Sequence, residues 1–190
     1  MSSPPPSMHA WRAHAFGPYR ERLRWEACEA PSAPEAGVVV RVTAAGLNFP
    51  DLLAVAGTYQ VKAPLPFTPG AEACGVVTAA GPRSRFRPGQ RVIATGLWGA
   101  FAEQMAAPDQ GCYSVPDGMS DVDAAALLVT YQTSYFALVH RTTLAAGEVL
   151  LGHGGAGGVG TSAIQLGKVL GATVIATVGS EAKAAIARAA

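Results

Sequence analysis

Val149-Leu150-Leu151-Gly152-His153-Gly154-Gly155-Ala156-Gly157-Gly158-Val159-Gly160, running on into the helix-periodic stretch Thr161 to Leu170, decides how this chain is read. The apolar run predicts a buried strand, the glycines a tight turn, and the repeat of Ile164, Leu166 to Gly167 and Val169-Leu170 a helix. A turn lacking Cβ atoms lets the backbone approach a pyrophosphate, and the helix N-terminus behind it offers unpaired N–H groups and a positive dipole end. Gly155, Gly157 and Gly160 fit G-x-G-x-x-G in register with the helix start, and Gly152, Gly154 and Gly157 fit it again three residues earlier. After the turn at Gly171, Thr173 to Val178 supplies a second strand, so the segment has the length of a β-α-β mononucleotide-binding half. The residues expected to hold a dinucleotide are Gly155, Ala156, Gly157, Gly158, Val159 and Gly160.

The end of the second strand bears on which dinucleotide. NAD-binding units usually place Asp or Glu about 20 residues past the glycines to accept from the ribose 2′-OH. Here Gly179-Ser180 follows the strand, with Lys183 shortly after. A hydroxyl and an ammonium suit a 2′-phosphate, which a carboxylate would repel. Ser180 also reads as the N-cap of a helix with Glu181 in its first turn, and the two roles are compatible. The expected cofactor is NADPH, with Ser180 and Lys183 at its 2′-phosphate.

With 190 residues, 49% hydrophobic and 14% charged, the chain has enough apolar material for a core. A net charge of +1 gives no reason to expect a nucleic acid or an anionic membrane as partner. Residues 1–8 read as a polar, proline-rich disordered tail without the apolar region of a signal peptide, and no stretch has the length of a membrane span. The cytoplasm is the expected location. Cys28, Cys74 and Cys112 are widely spaced and odd in number, which argues against a disulfide framework or a zinc lobe.

Before the glycine unit, short β-like runs alternate with turns: His9 to Phe16, Leu23 to Ala27, Val38 to Val42, Cys74 to Val77, Arg91 to Ala94 and Phe101 to Met105. Their spacing predicts a compact antiparallel barrel, with one short helix over Phe49 to Ala56. Asp121 to Leu128 and Thr130 to Arg141 read as helices leading into the nucleotide unit. The expected division is a β domain over 9–120 and a partial nucleotide-binding domain over 121–190. From Ala182 the sequence is helix-forming and ends without a glycine cap or a following strand, while parallel sheets normally have more than two strands. The expectation is a fragment or truncated product.

Four stretches carry a resemblance: Ala44-Ala45-Gly46-Leu47-Asn48-Phe49-Pro50-Asp51, Pro66 to Val77, Gly99-Ala100-Phe101-Ala102-Glu103 and Gly155 to Gly160. In order and spacing they resemble the quinone oxidoreductase (zeta-crystallin-like) branch of the medium-chain dehydrogenase/reductase superfamily. The resemblance implies an N-terminal GroES-like β-barrel domain followed by the first part of a Rossmann doubly wound parallel sheet. It also implies NADPH-dependent reduction of quinones or other α,β-unsaturated carbonyls. Zinc-dependent relatives carry Cys where this chain has Asn48 and His where it has Ala71, so no catalytic metal is expected. The resemblance further places Asn48 and Tyr59 on the substrate side and Thr133 against the nicotinamide carboxamide. Asn48 donates without titrating, and Tyr59 offers a hydroxyl on an aromatic wall; helix capping and loop cover are the plainer alternatives. The implied partner is a small quinone or enone, with a homo-oligomeric full-length parent. Two other readings stay open: a 2-enoyl reductase of the polyketide or crotonyl-CoA kind, and a non-catalytic module with at most weak nucleotide binding.

Overall fold

The structure, a computed structural model, describes residues 7–190. Residues 1–6 of the expected tail lie outside the described residues. Ser7 and Met8 instead open strand β1 (Ser7–Ala13), where Met8 is buried with Ala10 and Ala102. Two compact units follow one another, the first ending at Ala126 and the second spanning Leu127–Ala190.

In the first unit β1 pairs antiparallel with β2 (Leu23–Glu29), across the short helix α1 (Tyr19–Arg22). Five further strands form an antiparallel sheet: β3 (Gly37–Gly46), β4 (Glu72–Ala80), β5 (Arg91–Thr95), β6 (Gln104–Pro108) and β7 (Cys112–Ser114), in the order β6-β3-β4-β5-β7. Val38, Val39 and Val40 are all buried, which simple alternation forbids. A register shift between Val39 and Val40 resolves it, since a bulge re-aims the side chains that follow. The core gathers Val38, Val40, Val77, Val92 and Met105 with small Ala73, Ala94 and Ala107 between them. Burying each such large side chain contributes roughly 1.5–3 kcal/mol.

The run expected as one strand over Phe101 to Met105 is divided. Phe101 and Glu103 bond to Trp11 and His9 of β1, and β6 begins only at Gln104, beside β3. Helix α2 (Phe49–Ala56) has the predicted bounds. Asn48 precedes it, Pro50 and Asp51 occupy its first turn and Gly57 closes it. It covers a second cluster of Ala13, Ala54, Val55, Ala63 and Phe67. Helix α3 (Asp121–Ala125) is shorter than expected, because the Ala126 N–H turns back to the Asp123 and Ala124 carbonyls.

In the second unit, helix α4 (Leu128–Tyr135) runs into one π-helical turn, Phe136–Arg141. Then come β8 (Val149–His153), α5 (Gly158–Val169), β9 (Thr173–Thr177) and α6 (Glu181–Ala189). Strands β8 and β9 are parallel, paired from Val149 with Thr173 to His153 with Thr177. Helix α5 packs on one face, its buried Gly167 lying against Leu150 and Val174. Val149, Leu151 and Ile175 stand exposed on these strands. Among the described residues no helix is long and apolar enough to cross a membrane.

Candidate functional site

Two sets of residues, one in each unit, carry chemistry. In the second unit the turn after β8 leads to Gly157, the N-cap of α5, and the first intrahelical bond runs from the Thr161 N–H to the Gly157 carbonyl. The N–H groups of Gly158, Val159 and Gly160 therefore precede the helical ladder and are the ones a helix N-terminus leaves for a ligand. The residues of the turn, with Leu150, Ile164, Val174 and Ala176, line a cavity of about 340 Å³.

Both overlapping glycine patterns contain a position that calls for glycine, Gly154 of the earlier one standing at a φ of 68°. A Cβ on Gly160 would collide with the Gly154 carbonyl, and one on Gly155 would come within 2.7 Å of the Ala176 Cβ. At Gly152 a Cβ would meet nothing within 4 Å. The close approaches fall at Gly155, Gly158 and Gly160.

Because His153 pairs with Thr177 at the ends of two parallel strands, the chain leaves both strands on the same side. The Gly155 N–H donates to the Thr177 carbonyl at 3.0 Å and His153 Nδ1 lies 2.9 Å from Thr177 Oγ1, so the glycine turn and the segment into Gly179-Ser180 emerge together. Ser180 caps α6, its Oγ accepting from the Lys183 N–H at 3.4 Å. A hydroxyl that accepts in a cap keeps its own hydrogen to donate. Glu181 is engaged by Arg188 at 2.9 Å, while Lys183 is exposed and in no ion pair among the described residues.

Helix α4 is keyed to α5 by hydroxyls. Ser134 Oγ and Ser162 Oγ, both buried, are 2.7 Å apart, with the Val159 carbonyl 3.0 Å from each and the Thr130 carbonyl 3.1 Å from Ser162 Oγ. Thr133, next to this seam, is exposed, and its hydroxyl donates to the Val129 carbonyl at 2.6 Å. With its hydrogen so engaged, Oγ1 is left with lone pairs to accept.

In the first unit Asn48 is half-buried at the N-cap of α2, where it forms a capping box with Asp51. The Asn48 backbone N–H donates to Asp51 Oδ2 at 2.8 Å, the Asp51 N–H donates to the Asn48 carbonyl at 3.1 Å, and Asn48 Nδ2 donates to Glu72 Oε1 at 2.9 Å. Burial pushes the Asp51 carboxyl above its ordinary value, and the charge of Glu72 adds to the effect. Tyr59 packs half-buried against the Ala54–Phe67 cluster. Sequence reasoning missed Glu72; the signal was a carboxylate two residues beyond Gly70, inside a run otherwise of alanine, cysteine and valine. Among the described residues no group of three or more His, Cys, Asp and Glu is placed to hold a metal ion.

Comparison with known proteins fits this geometry. Residues 34–117 match the alcohol dehydrogenase GroES-like domain. The human quinone oxidoreductase is 36% identical over 177 residues, covering 92% of this chain and 54% of that protein. A segment of erythronolide synthase EryA2 from Saccharopolyspora erythraea is 46% identical over 144 residues, covering 75% of this chain and 4% of that one. The quinone oxidoreductase from Thermus thermophilus, solved also as its complex with NADPH, superposes with a TM-score of 0.83 at 34% identity, covering 96% of this chain and 57% of that one. Over nearly its whole length the chain is similar to quinone oxidoreductases. It combines a GroES-like domain with a partial Rossmann-type fold, as the sequence led us to expect. It spans about half the length of the curated quinone oxidoreductases it matches.

Proposed function

We propose that this chain serves NADPH-dependent reduction of quinones or other α,β-unsaturated carbonyls without a metal. The observation that carries the reading is the glycine cradle, with a cationic segment free of unpaired carboxylate emerging beside it. Bound NADPH supplies the hydride. The Gly158, Val159 and Gly160 N–H groups hold the pyrophosphate, and Gly155, Ala156 and Gly157 let it approach. Ser180 donates to the 2′-phosphate and Lys183 meets its charge. Thr133 Oγ1 accepts from the carboxamide NH₂. Asn48 donates an N–H to the acceptor oxygen as negative charge develops there, and Tyr59 supplies an aromatic wall and a hydroxyl. Asn48 and Ala71, standing where zinc-dependent relatives would place Cys and His, support chemistry without a Lewis acid. A cytoplasmic location, a homo-oligomeric assembly and the 9–120 and 121–190 domain division belong to the same proposal.

The match to a segment of a polyketide synthase favours one second reading, reduction of a 2-enoyl group. Titration of the chain with NADPH and NADH by nicotinamide fluorescence tests the cofactor. NADPH should bind more tightly, and Lys183→Ala should reduce the preference by about 1 kcal/mol, some fivefold; equal affinities in the wild type would refute it. Turnover of 1,4-benzoquinone against crotonyl-CoA separates the two acceptor classes, and turnover of neither would leave the nucleotide-binding module alone.

A further inference from the structure

We infer that Glu72 is a positioning residue that fixes which way the Asn48 side-chain amide is turned. The inference rests on the reading of Asn48 as the group that meets the acceptor oxygen. An asparagine amide presents either an oxygen or an NH₂ group after a half-turn, and in water nothing selects between them. Glu72 opens β4 and is 1% exposed, and its Oε1 lies 2.9 Å from Asn48 Nδ2. Oε1 is the accepting atom of this bond, so the flipped amide would set oxygen against oxygen in a buried place, at a high cost in free energy. With Nδ2 held toward Glu72, one N–H is engaged and the second remains to donate elsewhere. Helix α2 is capped reciprocally, Asp51 accepting from the Asn48 N–H and the Asp51 N–H turning back to Asn48, which leaves Nδ2 to Glu72.

The surroundings are built to seat the carboxylate. Gly46 pairs with Glu72 across β3 and β4, and a Cβ at Gly46 would meet the Ala125 carbonyl as well as Glu72, coming within 2.6 Å of its Oε1 and 2.7 Å of its Cγ. Only glycine lets Glu72 lie over the β3 backbone here. Asn48 is two residues further on, so a single β3-to-α2 turn supplies both the space for the carboxylate and the amide it holds.

Two measurements on the whole chain test the assignment. In the ¹⁵N–¹H spectrum the Asn48 side-chain pair should be widely split, one proton being hydrogen-bonded. Glu72→Gln, whose own amide can turn together with that of Asn48 and so selects neither orientation, should reduce the splitting, and Glu72→Leu should move the pair to the position of an ordinary solvated asparagine. An Asn48 pair identical in the wild type and in Glu72→Leu would overturn the inference. If Glu72→Leu does not fold, the wild-type spectrum decides alone: an Asn48 pair at the position of a solvated asparagine would overturn the inference. With NADPH and 1,4-benzoquinone, Glu72→Leu should lower kcat about tenfold with the KM for NADPH unchanged, and Glu72→Gln should lower it less. On an Asn48→Ala background Glu72→Leu should add nothing; independent, additive losses would refute positioning. If Asn48→Ala alone leaves kcat unaltered, it is the acceptor role of Asn48 that fails, and the amide spectrum still decides what Glu72 does.

Discussion

At the scale of single residues, the first unit is fastened by a polar latch between α3 and the sheet. Arg91 Nε lies 2.6 Å from Asp121 Oδ1, its guanidinium also reaches the Met119 carbonyl, and Cys74 Sγ donates to the same carboxylate at 3.5 Å. Hydrogen bonds from Thr43 and Arg91 hold the Asp121 carboxyl below its ordinary 3.8, while burial and the nearby Asp121 charge push the Cys74 thiol up to about 11. A carboxyl whose folded value is depressed contributes stability that is present above its unfolded value and is lost as pH falls through the folded one. Asp121→Asn should therefore lower the urea midpoint at pH 7, and the gap from wild type should close as pH drops below 3.8. Arg91 and Asp121 are 37% and 35% exposed, so water screens the pair and the effect is modest. Urea titrations at pH 7, 5 and 3 would show it, and a constant gap would contradict it.

At the scale of elements, the glycine turn and the start of α5 form one piece. Gly160→Ala should lower the melting temperature and abolish NADPH binding, because the colliding atoms are backbone and cannot swing aside. Gly152→Ala, with open space around its Cβ, should shift stability by no more than the few tenths of a kcal/mol typical of a strand substitution. Calorimetry and fluorescence titration of the two variants would check the contrast. Elements with strong local signals were legible in the sequence, α2 above all, where Pro50, Asp51 and Gly57 mark both ends. Strand β7 escaped because three residues carry no period, and the π-helical turn because Phe136 to Arg141 has the composition of any helix. Glu72 escaped for another reason: its burial against Asn48 arises from the pairing of β3 with β4, which sequence spacing does not display.

For the molecule as a whole, buried hydrocarbon is unevenly shared. Among the described residues, Leu138 and Ile164 are the only buried hydrophobics belonging to the unit from Leu127 onward. Hydrogen exchange should accordingly be slowest in β3, β4 and β5 and faster, by about tenfold or more, through β8, α5, β9 and α6. Exchange–mass spectrometry would measure this, and uniform protection in both units would refute it. The open strands carrying Val149, Leu151 and Ile175 favour self-association, which light scattering would report as a concentration-dependent mass. The hydroxyl seam between α4 and α5 has a thermal consequence. Apolar burial gives a unit a large heat capacity of unfolding and weakens on cooling, whereas buried polar surface contributes with the opposite sign. A unit joined through Ser134 and Ser162 should unfold with a small heat capacity change and a flat stability curve, so chilling would weaken the β-rich unit while scarcely touching the glycine cradle.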